Sequence, residues 1–276
     1  MSNSRRNPYG MGRRTGINKG TLIIALIFAG VALFKYFAAS EFNEITGETQ
    51  RISLSVDQEI TLGLQSAPQM MQQHGGLHPD QAGQELVDKV GQKLVANSVA
   101  SQTLYNWDFH LLADEQTVNA FALPGGQCFI TAALMNQLEN EDQLAGVMGH
   151  EIGHVVARHG AQRMAKQQLT QGLTGAAVIA AGDYGSQQAA QMIANMVNMK
   201  YGRDQELQSD DLGVRFMINA GYDPTQMVGV MKILKAASGG GSKNPEFFST
   251  HPDPENRVEK IHESIEKYSK QQATLD

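Results

Sequence analysis

The chain has 276 residues, enough for one sizeable hydrophobic core with appendages, and its 41% hydrophobic and 18% charged composition excludes wholesale disorder. The formal charge of -6 hides an asymmetry: Arg5, Arg6, Arg13, Arg14 and Lys19 lie in the first twenty residues with no acid, leaving 17 basic residues against 28 acidic ones, about -11, for the rest. So acidic a body argues against a nucleic-acid partner, while the single cysteine, Cys128, leaves the redox compartment open.

Residues 1–20 form a basic arm, and residues 21–39, "TLIIALIFAGVALFKYFAA", come next with Lys35 as their one charge. Such a run is long enough to cross a bilayer if Lys35 snorkels to the interface beside Tyr36. It reads as an anchor or as a targeting sequence cleaved near Ala38-Ala39-Ser40. In either case the basic arm stays cytoplasmic and the chain beyond Ser40 is exported: a single-pass membrane protein, or a secreted or periplasmic one after cleavage.

Residues 40–54 read as a polar linker, and residues 55–276 as the working domain. Ser55 and Gln58 have capping-box spacing at the head of "SVDQEITLGLQSAPQMMQQ", which predicts a helix. "GLHPDQAGQELVDKVGQKLVANS" predicts a second, with Leu86, Val87, Val90, Leu94 and Val95 on one face. In "YNWDFHLL" the alternation of Tyr105, Trp107, Phe109 and Leu111 predicts a half-buried strand. "NAFALPGGQCFITAALM" reads as two short strands turned by Pro124-Gly125-Gly126 and running into a helix near Thr131. The first of these, Asn119, Ala120, Phe121, Ala122 and Leu123, is a candidate sheet edge where a peptide substrate could add a strand.

Asn140 and Gln143 can cap one long helix, "EDQLAGVMGHEIGHVVARHGAQRMAKQQL". Residues 171–200 are rich in Gly, Ala, Gln and Met; "GAAVIAAG" is too short to span a bilayer and reads as a packed helical hairpin or a cover. "DQELQSDDLGVRFMINAGYD" predicts a helix ending at Gly221, Asp223-Pro224 opens another, "SGGGSKNP" is a loop, and Asp253-Pro254 opens a last amphipathic helix. These elements make an α+β fold, mainly helical, with a small antiparallel sheet behind an N-terminal transmembrane or signal helix.

Within the long helix, His150 and His154 stand four apart and so face one point, a geometry that suits zinc. Glu151 stays beside the metal and free to act as general base on a water held there. His159 and His110 read as structural. A metzincin would carry its third histidine six residues past His154, but that position is Gly160. Downstream, Glu206 offers a carboxylate ligand, and Asp210, on the same helix face, can hold a ligating imidazole by its other N–H. Gly153, so near the metal, permits another backbone to approach.

The H-E-x-x-H motif, the Gly/Ala-rich stretch after it, R-x-x-E-x-x-(small)-D at Arg203 to Asp210 and "STHPDPENR" together resemble the HtpX and Oma-type peptidases, membrane-associated zinc endopeptidases of family M48. The likeness runs from about Ser55 to Lys267. It implies a zincin-like metalloprotease domain with one Zn2+ per chain on His150, His154 and Glu206, Glu151 as base, Asp210 behind a ligand, and His251 and Arg257 near the open metal position. "NAFALPGG" resembles the family's active-site edge strand. Gly202 and Ser209 replace the usual serine and alanine, and neither is a ligand; no further spanning helices and no C-terminal repeat domain are expected.

The expected function is hydrolysis of peptide bonds in misfolded or unassembled membrane and exported proteins, with proteins or peptides as substrates and the membrane contacted through the N-terminal helix. Oligomeric state is left open. Two other classes compete: a deformylase, which would need a cysteine ligand that Cys128 in "GGQCFIT" does not match, and an envelope chaperone or assembly factor that merely retains a zinc site.

Overall fold

The structure, a computed structural model, describes residues 19–181, 201–239 and 246–274. The basic arm, most of the "SGGGSKNP" loop and residues 182–200 of the expected hairpin or cover lie outside the described residues.

Helix α1 (Lys19–Ala38) is the one helix among the described residues long and apolar enough to cross a membrane, and it exposes Leu22, Ile23, Ile24, Leu26, Ile27 and Phe28 along its length. Residues 40–54, expected as a linker, carry an antiparallel hairpin, β1 (Ser40–Asn43) and β2 (Glu48–Arg51). Two buried amides tie this hairpin to the body: Asn43 Nδ2 donates to Val156 O at 2.9 Å and Gln50 Nε2 to Ala157 O at 2.9 Å. These carbonyls end the motif helix, where no backbone N–H remains to meet them.

Helix α2 (Val56–Gln73) starts with the capping box of Ser55 and Gln58, and α3 (Gln81–Ala96) starts at an Asp80 cap and buries Val87, Val90, Leu94 and Val95. Strand β3 (Asp108–Leu112) pairs parallel with β5 (Gln127–Thr131), and β4 (Ala120–Leu123) pairs antiparallel with β5 at the sheet's edge. The antiparallel hairpin is the one expected; Gly125 and Gly126 turn it at φ +89° and +107°, which a side chain would resist. β3 is buried on both faces rather than one, because Leu112 packs with Phe129 and Ala67 of α2 while Phe109 packs on Gly91 of α3.

After α4 (Ala132–Met135), capped by Thr131, comes α5 (Glu141–Val156), capped by Asn140 through Gln143 N at 2.9 Å. Every residue of α5 from Gln143 to Val156 is buried, since α3, the sheet and two later helices surround it. The long helix expected through Leu169 is broken. Arg158 adopts φ +55° and a second helix, α6 (His159–Ala181), begins immediately after it. The break is held by the Arg158 guanidinium, whose Nε donates to Glu59 Oε2 at 3.0 Å, Nη1 to Glu41 Oε1 at 2.6 Å and Nη2 to Leu54 O at 2.8 Å. "GAAVIAA", residues 175–181, continues α6, which packs along α1; a Cβ added at Gly172 would stand 2.6 Å from Ala32 Cβ.

Helix α7 (Arg203–Asn219) ends where expected, with Gly221 at φ +72°. Then come α8 (Gln226–Gly239), the short α9 (Glu246–Thr250) and α10 (Arg257–Gln272). Asp253-Pro254 does not itself open α10: the chain turns, Arg257 N donates to Pro254 O at 3.0 Å, and the helix starts at Arg257, whose side chain is drawn inward.

Candidate metal centre

Two helices make the centre, and their closeness comes from glycine. A Cβ at Gly153 of α5 would stand 2.9 Å from Ser209 O and 3.1 Å from Ser209 Cα of α7; one at Gly149 would stand 3.3 Å from Gly213 Cα and O. Backbones that touch bring side chains one turn away into reach, so Glu206 and Asp210 of α7 face His150 and His154 of α5. Glu206 sits in the first turn of α7, where the helix dipole favours a carboxylate.

His150 Nε2 lies 3.0 Å from His154 Nε2 and 3.4 Å from Glu206 Oε2, and His154 Nε2 lies 3.4 Å from Glu206 Oε1. His251, just after α9, brings Nδ1 to 3.3 Å from His150 Nε2 and 3.2 Å from Glu206 Oε1. All four residues are buried, and their ligand atoms lie within 4.8 Å of one another. Behind them, Asp210 Oδ1 accepts from His150 Nδ1 at 2.8 Å, and Arg257 donates to both Asp210 oxygens, Nε at 2.7 Å and Nη2 at 2.9 Å. Glu151 is buried and, among the described residues, neither of its carboxylate oxygens is hydrogen-bonded; its Oε1 stands 3.7 Å from His251 Nε2.

The electrostatics follow from burial and these neighbours. Burial opposes a proton on His150, but Asp210 and Glu206 outweigh it and push the imidazole up to about 9. Burial holds His154 well below the usual range and brings His159 down to about 4. Burial works against ionised Glu206, yet His251, His150 and His154 hold its carboxyl well below the usual range; Asp210, likewise opposed by burial, is lowered by Arg257 and His150. Glu151 is raised by burial, the state of a carboxyl able both to take a proton and to return it.

This donor set fits zinc. Imidazole and carboxylate are its ligands, and a tetrahedron with arms of about 2.0–2.1 Å has edges of roughly 3.3 Å. Taking Glu206 Oε1 as the carboxylate donor, four of the six edges among His150 Nε2, His154 Nε2, His251 Nδ1 and that oxygen run from 3.0 to 3.4 Å. Orphaned polar atoms inside protein are rare, and Glu151 Oε1 and Oε2, Glu206 Oε2 and His251 Nε2 are all of that kind here. Cys128, buried in β5, is not among the converging donors.

The profile of peptidase family M48 matches residues 81–265. The chain belongs to that family. It is 30% identical to the beta-barrel assembly-enhancing protease of Yersinia pestis over 250 residues, which is 86% of this chain and 50% of that protein. It is 28% identical to the mitochondrial metalloendopeptidase OMA1 of Schizosaccharomyces pombe over 261 residues, 92% of this chain and 74% of the relative. The Escherichia coli beta-barrel assembly-enhancing protease is 29% identical over 86% of this chain and 50% of its own length. The chain thus spans about half the length of these bacterial relatives. The reaction class expected from the sequence is the one that the family and the yeast relative carry in their descriptions, peptidase and metalloendopeptidase.

The expected edge strand lies beside the centre: Ala122, Leu123 and Pro124 meet His154 and Tyr201 around a crevice of about 10 Å³. Asn119 and Ala120 are buried, Asn119 being tied to Thr131, whereas Phe121, Ala122 and Leu123 are partly exposed. Just before the strand, Val118 O already accepts from Phe247 N at 3.3 Å, so the segment carrying His251 is fastened to the sheet edge. Three neighbours were not legible. Tyr201 stacks on His154 at 4.1 Å, Phe247 stacks on His251 at 4.4 Å, and His159 touches His154. His159 is five residues after His154, off the face that a continuous helix would share.

Proposed function

We propose that the chain is a zinc-dependent endopeptidase held at a membrane by α1, with His150, His154 and Glu206 as the protein ligands. The observation that carries the reading is the buried Glu151 carboxylate, unpartnered among the described residues, beside two imidazole nitrogens 3.0 Å apart and a Glu206 carboxylate with one oxygen 3.4 Å from each. The metal supplies Lewis acidity at the scissile carbonyl and at the attacking water. The chain's own residues do the rest. Asp210 fixes His150 with Nδ1 protonated and Nε2 free, and Arg257 keeps Asp210 ionised. A peptide adds to β4 along Phe121 to Leu123, in reach of the centre. Glu151 takes the proton of the attacking water and returns it to the departing amide nitrogen.

His251 Nδ1, 3.3 Å from His150 Nε2 and 3.2 Å from Glu206 Oε1, would be a further donor to a metal held there. A catalytic zinc keeps one position open, so we read His251 as an occupant that must withdraw for substrate to enter, rather than as an oxyanion donor. The expected substrates are misfolded or unassembled membrane and exported proteins, in keeping with the apolar α1 and with bacterial relatives described as beta-barrel assembly-enhancing. The deformylase alternative finds no cysteine in the donor set. Against the assembly-factor alternative the test is Glu151→Gln: the purified variant should keep zinc by elemental analysis and lose casein cleavage, and its substrates should accumulate in cells. A variant that still cuts casein near the wild-type rate ends the proposal.

A further inference from the structure

Each of the two ligating histidines needs its metal-facing nitrogen free of a proton, and something behind the ring must fix that tautomer. For His150 it is Asp210. Among the described residues no carboxylate stands behind His154: His154 Nδ1 faces His159 Nδ1 at 2.9 Å, the ring centroids 4.9 Å apart and the planes 71° from one another. Two ring nitrogens at that distance share one proton, one as N–H and the other as lone pair. The opposite nitrogen of His159 decides which. His159 Nε2 lies 2.8 Å from Gln208 Oε1, an oxygen that only accepts, so Nε2 carries hydrogen. The lone pair of a neutral His159 is then on Nδ1, where Ser209 Oγ, at 3.3 Å, is a second donor. The proton between the rings therefore belongs to His154 Nδ1, and His154 Nε2 turns a lone pair toward His150 and Glu206.

We propose that His159 is a positioning residue: with Gln208 behind it, it sets the tautomer and the ring angle of His154 for metal. The fold is shaped for this. The left-handed Arg158 between α5 and α6 folds His159 back beneath the ring it follows, and His159 is fully buried there. α7 contributes Glu206 to the centre and, two residues on, Gln208 to its back, so one helix both ligates and orients. The two ligands differ in kind, His150 being backed by a charged carboxylate and His154 by a neutral imidazole.

The inference rests on the zinc reading, and its test separates the two. Full-length wild type, His154→Ala, His159→Leu, His159→Asn and Gln208→Leu are compared for zinc affinity by competition with a chromophoric chelator. Loss of an outer hydrogen-bond partner should weaken zinc roughly 10- to 100-fold in His159→Leu, with a smaller loss in Gln208→Leu. Asparagine places an amide oxygen where Nδ1 accepted, so His159→Asn should recover most of the affinity, which mere filling of space would not achieve. Zinc held by His159→Leu as tightly as by wild type, or His159→Asn no better than the leucine variant, overturns the role. Should His159→Leu fail to fold, an unweakened Gln208→Leu or a His159→Asn as poor as His154→Ala does the same. If wild type binds zinc no better than His154→Ala, the zinc reading falls first.

Discussion

Gly153→Ala puts one methyl group where α5 and α7 touch. Its Cβ would stand 2.9 Å from Ser209 O, whereas ordinary contact begins at 3.4 Å, so α7 must retreat by about half an ångström. Overpacking of that kind costs about 1–3 kcal/mol, while alanine in place of a helical glycine returns about 1 kcal/mol, so the net loss of stability is only about 0–2 kcal/mol. The centre is less forgiving, because ligand distances hold to about 0.2 Å and Glu206 and Asp210 flank the displaced residue. Zinc affinity should therefore fall by roughly 10- to 100-fold in a variant whose melting temperature drops by no more than about 8 °C. Chelator competition and thermal unfolding of the metal-free chain measure the two separately. Gly175→Ala serves as control, since among the described residues nothing lies within 4 Å of its added Cβ. A Gly153→Ala protein that binds zinc like wild type would refute the idea that backbone contact between α5 and α7 sets the ligand geometry.

Glu206→Ala should lose more zinc affinity than the roughly 100-fold ceiling for outer partners, and full occupancy by elemental analysis would remove Glu206 from the ligand set. His251→Ala should keep zinc near one per chain and raise cleavage of a short peptide, because an occupant of the open corner is lost; slower cleavage would favour an oxyanion role, and unchanged kinetics would leave His251 as a structural turn. Arg158→Met strands the buried Glu59 carboxylate, whose pKa burial already raises against the pull of Arg158. Breaking such a pair costs roughly 3–5 kcal/mol, on the order of 10 °C in melting temperature. A raised carboxyl binds its proton more tightly folded than unfolded, so stability is present at low pH and lost as pH rises through the folded value; the deficit of Arg158→Met should be greatest at neutral pH and narrow on acidification. A deficit independent of pH would contradict this account of Glu59.

Features encoded by neighbours within about four residues were legible before any fold was known. The capping pairs Ser55 with Gln58 and Asn140 with Gln143, the face Val87, Val90, Leu94, the Pro124-Gly125-Gly126 turn, the apolar run of α1 and the aim of His150 and His154 at one point all follow from period and local hydrogen bonding. Glu206 and Asp210 came from their i, i+4 spacing downstream of the histidines, and the resemblance added His251 and Arg257; the structure brings His251 to the donor cluster and sets Arg257 behind it on Asp210. The break after α5 is of another kind and needed the folded chain. A left-handed arginine is disfavoured locally by about 1–2 kcal/mol, and it is held by Glu59 and Glu41, 99 and 117 residues away in the chain, partners no window of sequence contains. The same distance hides the hairpin amides of Asn43 and Gln50 at the end of α5, and the placing of His159 behind His154: helical spacing turns that residue away, and a fold-wide ion pair turns it back.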